Sequence, residues 1–181
     1  MSENRIPVTI DLIDPESHQI REVYARFGLA IHMAQALERT LAIALATVCG
    51  PGPRKITRKR YDSLLQSNFE KTLGQLVAKL GKSVVAIPEA SEHTLSEALR
   101  KRNWLVHSYF WERAVSFNRK EGRQSMIDEL QALSEYFEKI DVKFSAVVRA
   151  WGEKHGVTQQ VIDKEMKTLI DTDDAKASES D

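Results

Sequence analysis

The chain has 181 residues, 42% hydrophobic and 29% charged, and its 26 basic side chains balance 26 acidic ones, so the formal net charge is zero. Chains of roughly 100–200 residues usually fold as one domain, so a single globular unit is expected and disorder throughout is not. The apolar run Leu41–Cys49 falls short of the ~18 residues that span a bilayer, the polar start Met1-Ser2-Glu3-Asn4-Arg5 is no secretory signal, and a lone cysteine, Cys49, allows neither an internal disulfide nor a Cys-based structural zinc site; a soluble, cytoplasmic protein without a membrane partner is expected.

The zero hides a division. Residues 1–50 carry 4 basic and 6 acidic side chains, residues 51–125 carry 15 and 7, and residues 126–181 carry 7 and 13. The segments come to −2, +8 and −6, so positive charge gathers in the middle, where a phosphate-bearing partner would be attracted.

In chain order, Ile6, Val8, Ile10 and Leu12 alternate with other residues, which predicts a short extended arm over residues 1–14. Asp14-Pro15 reads as an N-cap followed by proline at the first helical position. From there Ile20, Val23, Phe27, Ala30, Ala34, Leu37, Leu41, Leu45 and Val48 keep helical spacing until Gly50-Pro51-Gly52-Pro53, predicting one helix over 15–49. A second stripe, Tyr61, Leu65, Phe69, Leu73, Leu76 and Leu80, ends at Gly81. A third helix starts near Pro88 or Ser91 and buries Leu95, Leu99, Val106 and Phe110. The fourth carries Leu130, Leu133, Phe137, Ile140, Phe144, Val147 and Trp151, with Ser125 and Asp128 resembling a capping box at its start. A fifth, about 158–170, precedes an acidic tail, 171–181, expected to be disordered. The expected fold is all-α: an antiparallel bundle of four to five helices over residues 15–170. Such stripes suit an intramolecular core and a seam against a second copy equally.

Several chemistries are absent from the pattern. The residues three before His18, His32, His93, His107 and His155 are Pro15, Leu29, Ala90, Trp104 and Gly152, so the Glu-x-x-His pairs of a di-iron bundle are missing. There is no phosphate-cradling loop ending in Lys-Ser/Thr and no His-Glu-x-x-His. His93 and Glu97, one turn apart, read as a surface pair.

Two segments remain. Arg54, Lys55, Arg58, Lys59 and Arg60 put five cations into seven residues, either a solvated loop or a grip on a nucleic-acid backbone. In the segment from Arg100 to Trp111, Asn103 and His107 share one flank of the third helix, while Arg102 lies ~140° from His107. Arg102 and His107 therefore converge only if the helix is interrupted or if a two-fold axis brings up a second copy of this face. Trp104, Tyr109 and Trp111 offer aromatic faces on which unpaired bases could stack. The structural alternative has the arginine neutralising a carboxylate and the histidine satisfying a core hydrogen bond. Glu38, between Ala34 and Leu41 on the apolar stripe of the first helix, needs a cation or an outlet to solvent; Arg102 is one candidate.

The run Arg102-Asn103-x-x-x-His107, late in the third helix, resembles the Arg-polar-x3-His signature of the HEPN superfamily, and helix order resembles that family over roughly residues 15–151. The resemblance implies a helical bundle that forms symmetric homodimers with the motif at the interface. It further implies metal-independent, cofactor-free cleavage of RNA, as in toxins or phage-defence effectors that an antitoxin or other protein partner restrains. On that reading Arg102, Asn103 and His107 are catalytic: His107 moves a proton, Arg102 holds the phosphate through a bidentate fork, and Asn103 orients the phosphate or His107. Arg54, Lys55, Arg58, Lys59, Arg60, Trp104 and Tyr109 would bind substrate. Many HEPN domains are non-catalytic, so the resemblance equally implies a module for dimerisation, partner-protein binding or nucleotide binding.

Overall fold

A computed structural model describes residues 14–47, 57–81, 89–156 and 158–178. These form eight helices: α1 (Pro15–Thr47), α2 (Arg58–Phe69), α3 (Leu73–Gly81), α4 (Glu89–His107), α5 (Tyr109–Glu112), α6 (Ala114–Phe117), α7 (Lys120–Lys154) and α8 (Gln159–Ser178). No strand occurs among the described residues. None of their helices is long and apolar enough to cross a membrane. The extended arm expected over residues 1–14 lies outside the described residues apart from Asp14.

α1 begins as its sequence dictates. The Asp14 carboxylate accepts from the N–H groups of Glu16 and Ser17, both at 3.0 Å, so two donors that the first helical turn leaves unpaired are satisfied. The Ser17 side chain and backbone hold the Asp14 carboxyl below its ordinary value.

The single helix expected through Tyr61–Leu80 is two. α2 ends at Phe69 and α3 starts at Leu73, because Thr72 and Gln75 form a capping box: the Thr72 N–H donates to Gln75 Oε1 at 3.0 Å and the Gln75 N–H to Thr72 Oγ1 at 3.5 Å. Ser125 and Asp128, expected to start the fourth helix, lie inside α7, which begins at Lys120. Its N-cap, Arg119, contributes no side-chain bond. The first turn is set by close packing instead, since a Cβ at Gly122 would stand 2.2 Å from the Ser116 carbonyl oxygen in α6. α8 continues past residue 170 to Ser178, so most of the tail expected to be disordered is helical; Ala175 and Ala177 are strong helix formers.

Side-chain contacts fix the helix directions. Arg123 of α7 reaches Glu16 and Gln19 of α1, and Arg26 of α1 bonds Gln131 of α7. Position numbers rise together along the pair, so the two longest helices run parallel, which corrects the all-antiparallel arrangement expected from sequence. α4 and α5 run the other way: Arg102 meets Glu38 and Phe110 meets Tyr24 on α1, while Tyr136 bonds Thr94 and Tyr109 bonds Met126. The return stroke of α4 and α5 makes the parallel pair possible.

The core joins Val23, Ala30, Leu37 and Leu41 of α1 to Met126, Leu130 and Phe137 of α7, closed by Leu73 and Leu76 of α3 and by Leu95 and Leu105 of α4. Leu105, not the expected Val106, faces inward; Val106 and Val147 are exposed. Between α3 and α4, Gly74 leaves room for the Leu99 methyls, 3.6 Å from where its Cβ would stand.

Candidate functional site

α4 stays regular through His107 and breaks at Ser108, whose backbone (φ −126°, ψ −19°) leaves the helix before α5 begins. The interruption therefore falls after the motif. Arg102, Asn103 and His107 remain on one continuous helix, with Arg102 and His107 still ~140° apart about its axis.

Arg102 turns toward α1. Its Nη2 lies 3.2 Å from Glu38 Oε1 and its Nη1 donates to Asn103 Oδ1 at 3.2 Å. Both charged side chains are mostly buried, 26% exposed for Arg102 and 20% for Glu38. Glu38 Oε1 is itself buried and receives no aligned hydrogen bond, so the contact is Coulombic attraction between two mostly buried charges. This is the cation that Glu38's place on the apolar stripe required. Asn103 and His107 are exposed. The arrangement fixes a guanidinium from two sides and leaves the imidazole outward.

The aromatic residues divide. Tyr109 is 1% exposed; its hydroxyl donates to the Met126 carbonyl at 3.3 Å and its ring packs edge-on against Trp104 and Phe110. Burial, then the Glu129 carboxylate, raises its phenol well above the ordinary value. A ring so enclosed cannot stack on a base, which corrects its expected substrate-binding role. Trp104 is partly covered: its indole N–H donates to Glu112 Oε2 at 2.9 Å and the Arg113 guanidinium lies 5.3 Å from its ring centre. Arg113 is held in turn by two bonds to Glu129, at 2.9 and 2.7 Å. Of these three rings Trp111 is the exposed one, at 88% and four residues beyond His107.

Of the basic run, Arg54 and Lys55 lie outside the described residues, as does the Arg58 side chain. Lys59 and Arg60 are exposed in the first turn of α2, which contains no acidic residue and is capped by Thr57 Oγ1 accepting from the Arg60 N–H at 3.3 Å. Cations at the positive end of a helix dipole oppose helix stability and add to the field there. These two are not brought against Arg102 by any contact the structure contains.

Sequence reasoning missed a polar cavity of about 240 Å³ between α1, α2 and α3, lined by Gln35, Glu38, Arg39, Asn68, Phe69, Lys71 and Leu76. Asn68, 1% exposed, organises it: Nδ2 donates to the Ala42 carbonyl at 3.2 Å and Oδ1 accepts from Lys79 Nζ at 2.8 Å. Arg39 lies over the Phe69 ring, 4.4 Å from its centre. Lys71 Nζ folds back onto the Ser67 carbonyl and hydroxyl at the end of α2. The signal was available: Asn68 sits among Leu65, Phe69, Leu73 and Leu76 as Glu38 sits among Ala34, Leu37 and Leu41. A polar residue on an apolar stripe marks a place where the core is interrupted.

In comparisons with protein-family models, curated proteins and solved structures, nothing matches the chain.

Proposed function

We propose that the protein is a metal-independent endoribonuclease of HEPN type that acts as a symmetric homodimer, serving as a toxin or phage-defence effector. The observation that carries the reading is the end of α4, where a guanidinium anchored by Glu38 and Asn103 and an exposed imidazole occupy the Arg102-Asn103-x-x-x-His107 motif. Because one straight helix keeps the two groups apart, a complete site draws Arg102 and His107 together across a two-fold axis. The 88% exposed Trp111, beside the motif, is suited to burial in such an interface.

The chemistry is transesterification within RNA. A ribose 2′-oxygen attacks the adjacent phosphorus, its proton passing to one His107 acting as base; the bond to the 5′-oxygen breaks, and that oxygen takes a proton from the symmetry mate of His107. The products are a 2′,3′-cyclic phosphate and a 5′-hydroxyl. Arg102 offers two parallel N–H donors to the equatorial oxygens as charge builds on them, a geometry lysine does not reproduce. DNA has no 2′-hydroxyl and is not cut. Lys59 and Arg60 supply sequence-independent attraction for the strand.

Purified protein incubated with total cellular RNA in EDTA should produce fragments, and His107→Ala should abolish them without altering the helical circular dichroism spectrum. RNA left intact by the wild-type protein across several substrates refutes the ribonuclease reading.

A further inference from the structure

We infer that the cavity between α1, α2 and α3 binds a nucleoside phosphate, either as one residue of an RNA strand or as a free nucleotide. A packing defect between helices is walled by aliphatic groups, but here only Phe69 and Leu76 are apolar among the seven lining residues. The volume, about 240 Å³, lies just under the ~300–1,000 Å³ usual for drug-sized ligands, which suits a single nucleotide and not a longer stretch of strand.

The wall is pre-organised. Asn68 ties α2 to α1 through the Ala42 carbonyl and to α3 through Lys79, so both ends of its buried amide are engaged before any ligand arrives. The charge is suited to an anion. Arg39 and Lys71 line the cavity, Lys79 touches it through Asn68, and the one lining carboxylate, Glu38, is offset by Arg102 at 3.2 Å. An ammonium carries three donors, and Lys71 spends two on Ser67, leaving one for a phosphate oxygen. The Arg39 guanidinium, with one face on Phe69, presents its other face as a flat cationic platform of the kind that stacks on a heterocycle. Gln35 supplies both a donor and an acceptor for the edge of a base.

Glu38 connects this cavity to the motif, since it lines the one and holds the arginine of the other. A nucleotide seated here lies against the residue that holds Arg102, and in a strand it would be the neighbour of the nucleotide being cut. That strand form of the inference rests on the ribonuclease reading; nucleotide binding itself does not.

The test is calorimetric titration of the full-length protein with inorganic phosphate, adenosine, adenosine and uridine 5′-monophosphates, and a short RNA fully 2′-O-methylated to block cleavage. A nucleoside phosphate should saturate one site per chain, with phosphate alone and adenosine alone each at least roughly tenfold weaker. Lys71→Ala and Arg39→Ala, both at solvent-accessible positions, should each weaken binding roughly tenfold to a hundredfold, as expected for loss of a charge-assisted contact. Binding by mononucleotides assigns the free nucleotide as source, and binding by the methylated strand alone assigns RNA. No binding by any probe, or binding indifferent to both cavity substitutions, overturns the inference. Binding without RNA cleavage sinks only the ribonuclease reading, and cleavage without cavity-dependent binding sinks only this one.

Discussion

Replacing Glu38 by alanine removes the carboxylate that neutralises Arg102, and its consequence can be sized from geometry. At the observed 3.2 Å the bare attraction is roughly 5 kcal/mol for an effective dielectric of about 20. Desolvation of two side chains that are 26% and 20% exposed, and the absence of an aligned hydrogen bond at Glu38 Oε1, cancel most of it. A coupling of about 1–2 kcal/mol should remain, above the range of exposed surface pairs. The assay is a double-mutant cycle by urea unfolding at neutral pH on wild type, Glu38→Ala, Arg102→Ala and the double variant. The double variant should be less destabilised than the sum of the singles by that amount, because each single change strands a buried charge. Strict additivity would mean that Glu38 does not hold Arg102, and the anchored guanidinium on which the proposed site depends would be lost.

Gly122→Ala should lower stability by about 1–3 kcal/mol, since its Cβ would enter the Ser116 carbonyl 2.2 Å away and α6 must move off α7; differential scanning calorimetry reads this as a fall of several degrees, and an unchanged transition refutes the close packing. Alkaline stability follows from two phenols. Burial, then Glu129, raises Tyr109, and burial, then Glu97, pushes Tyr136 up to about 12. Both are therefore neutral in the fold when an unfolded tyrosine would ionise. Their stabilising contribution is complete below the unfolded value near 10 and is lost as pH rises through the folded ones. The urea midpoint should hold steady to about pH 9 and fall above about pH 10, and Tyr109→Phe should soften that fall; a variant with the wild-type alkaline slope contradicts the burial of this phenol.

What could be read from the sequence, and what could not, follows from the range of the interactions. The stripes of α1 and α7 are long and regular, and Asp14-Pro15 is a local cap, so both were legible before any tertiary contact was known. Glu38 was legible for the same reason: a carboxylate on an apolar stripe demands a partner, and Arg102 is there. The break between α2 and α3 was equally local, written in Thr72 and Gln75, but the continuous apolar spacing from Tyr61 to Leu80 masked it. Other features depend on neighbours far along the chain. Tyr109 could not be known as a core residue until the turn at Ser108 swung it under α1 and α7. The parallel pairing of α1 and α7 is invisible to periodicity, which reports a buried face and not the direction of the helix it meets. The cavity at Asn68 needs three helices to exist at all.

The proposed activity is tested most directly at the ends of its products. In EDTA, wild-type protein acting on a short RNA should leave a 2′,3′-cyclic phosphate on one fragment and a 5′-hydroxyl on the other. Removing the single 2′-hydroxyl at the cut position should stop cleavage there, and His107→Ala should stop it everywhere. Cutting of the deoxy-substituted position, products bearing a 5′-phosphate, or undiminished cleavage by His107→Ala would contradict the assignment of Arg102 and His107 to phosphate binding and proton transfer.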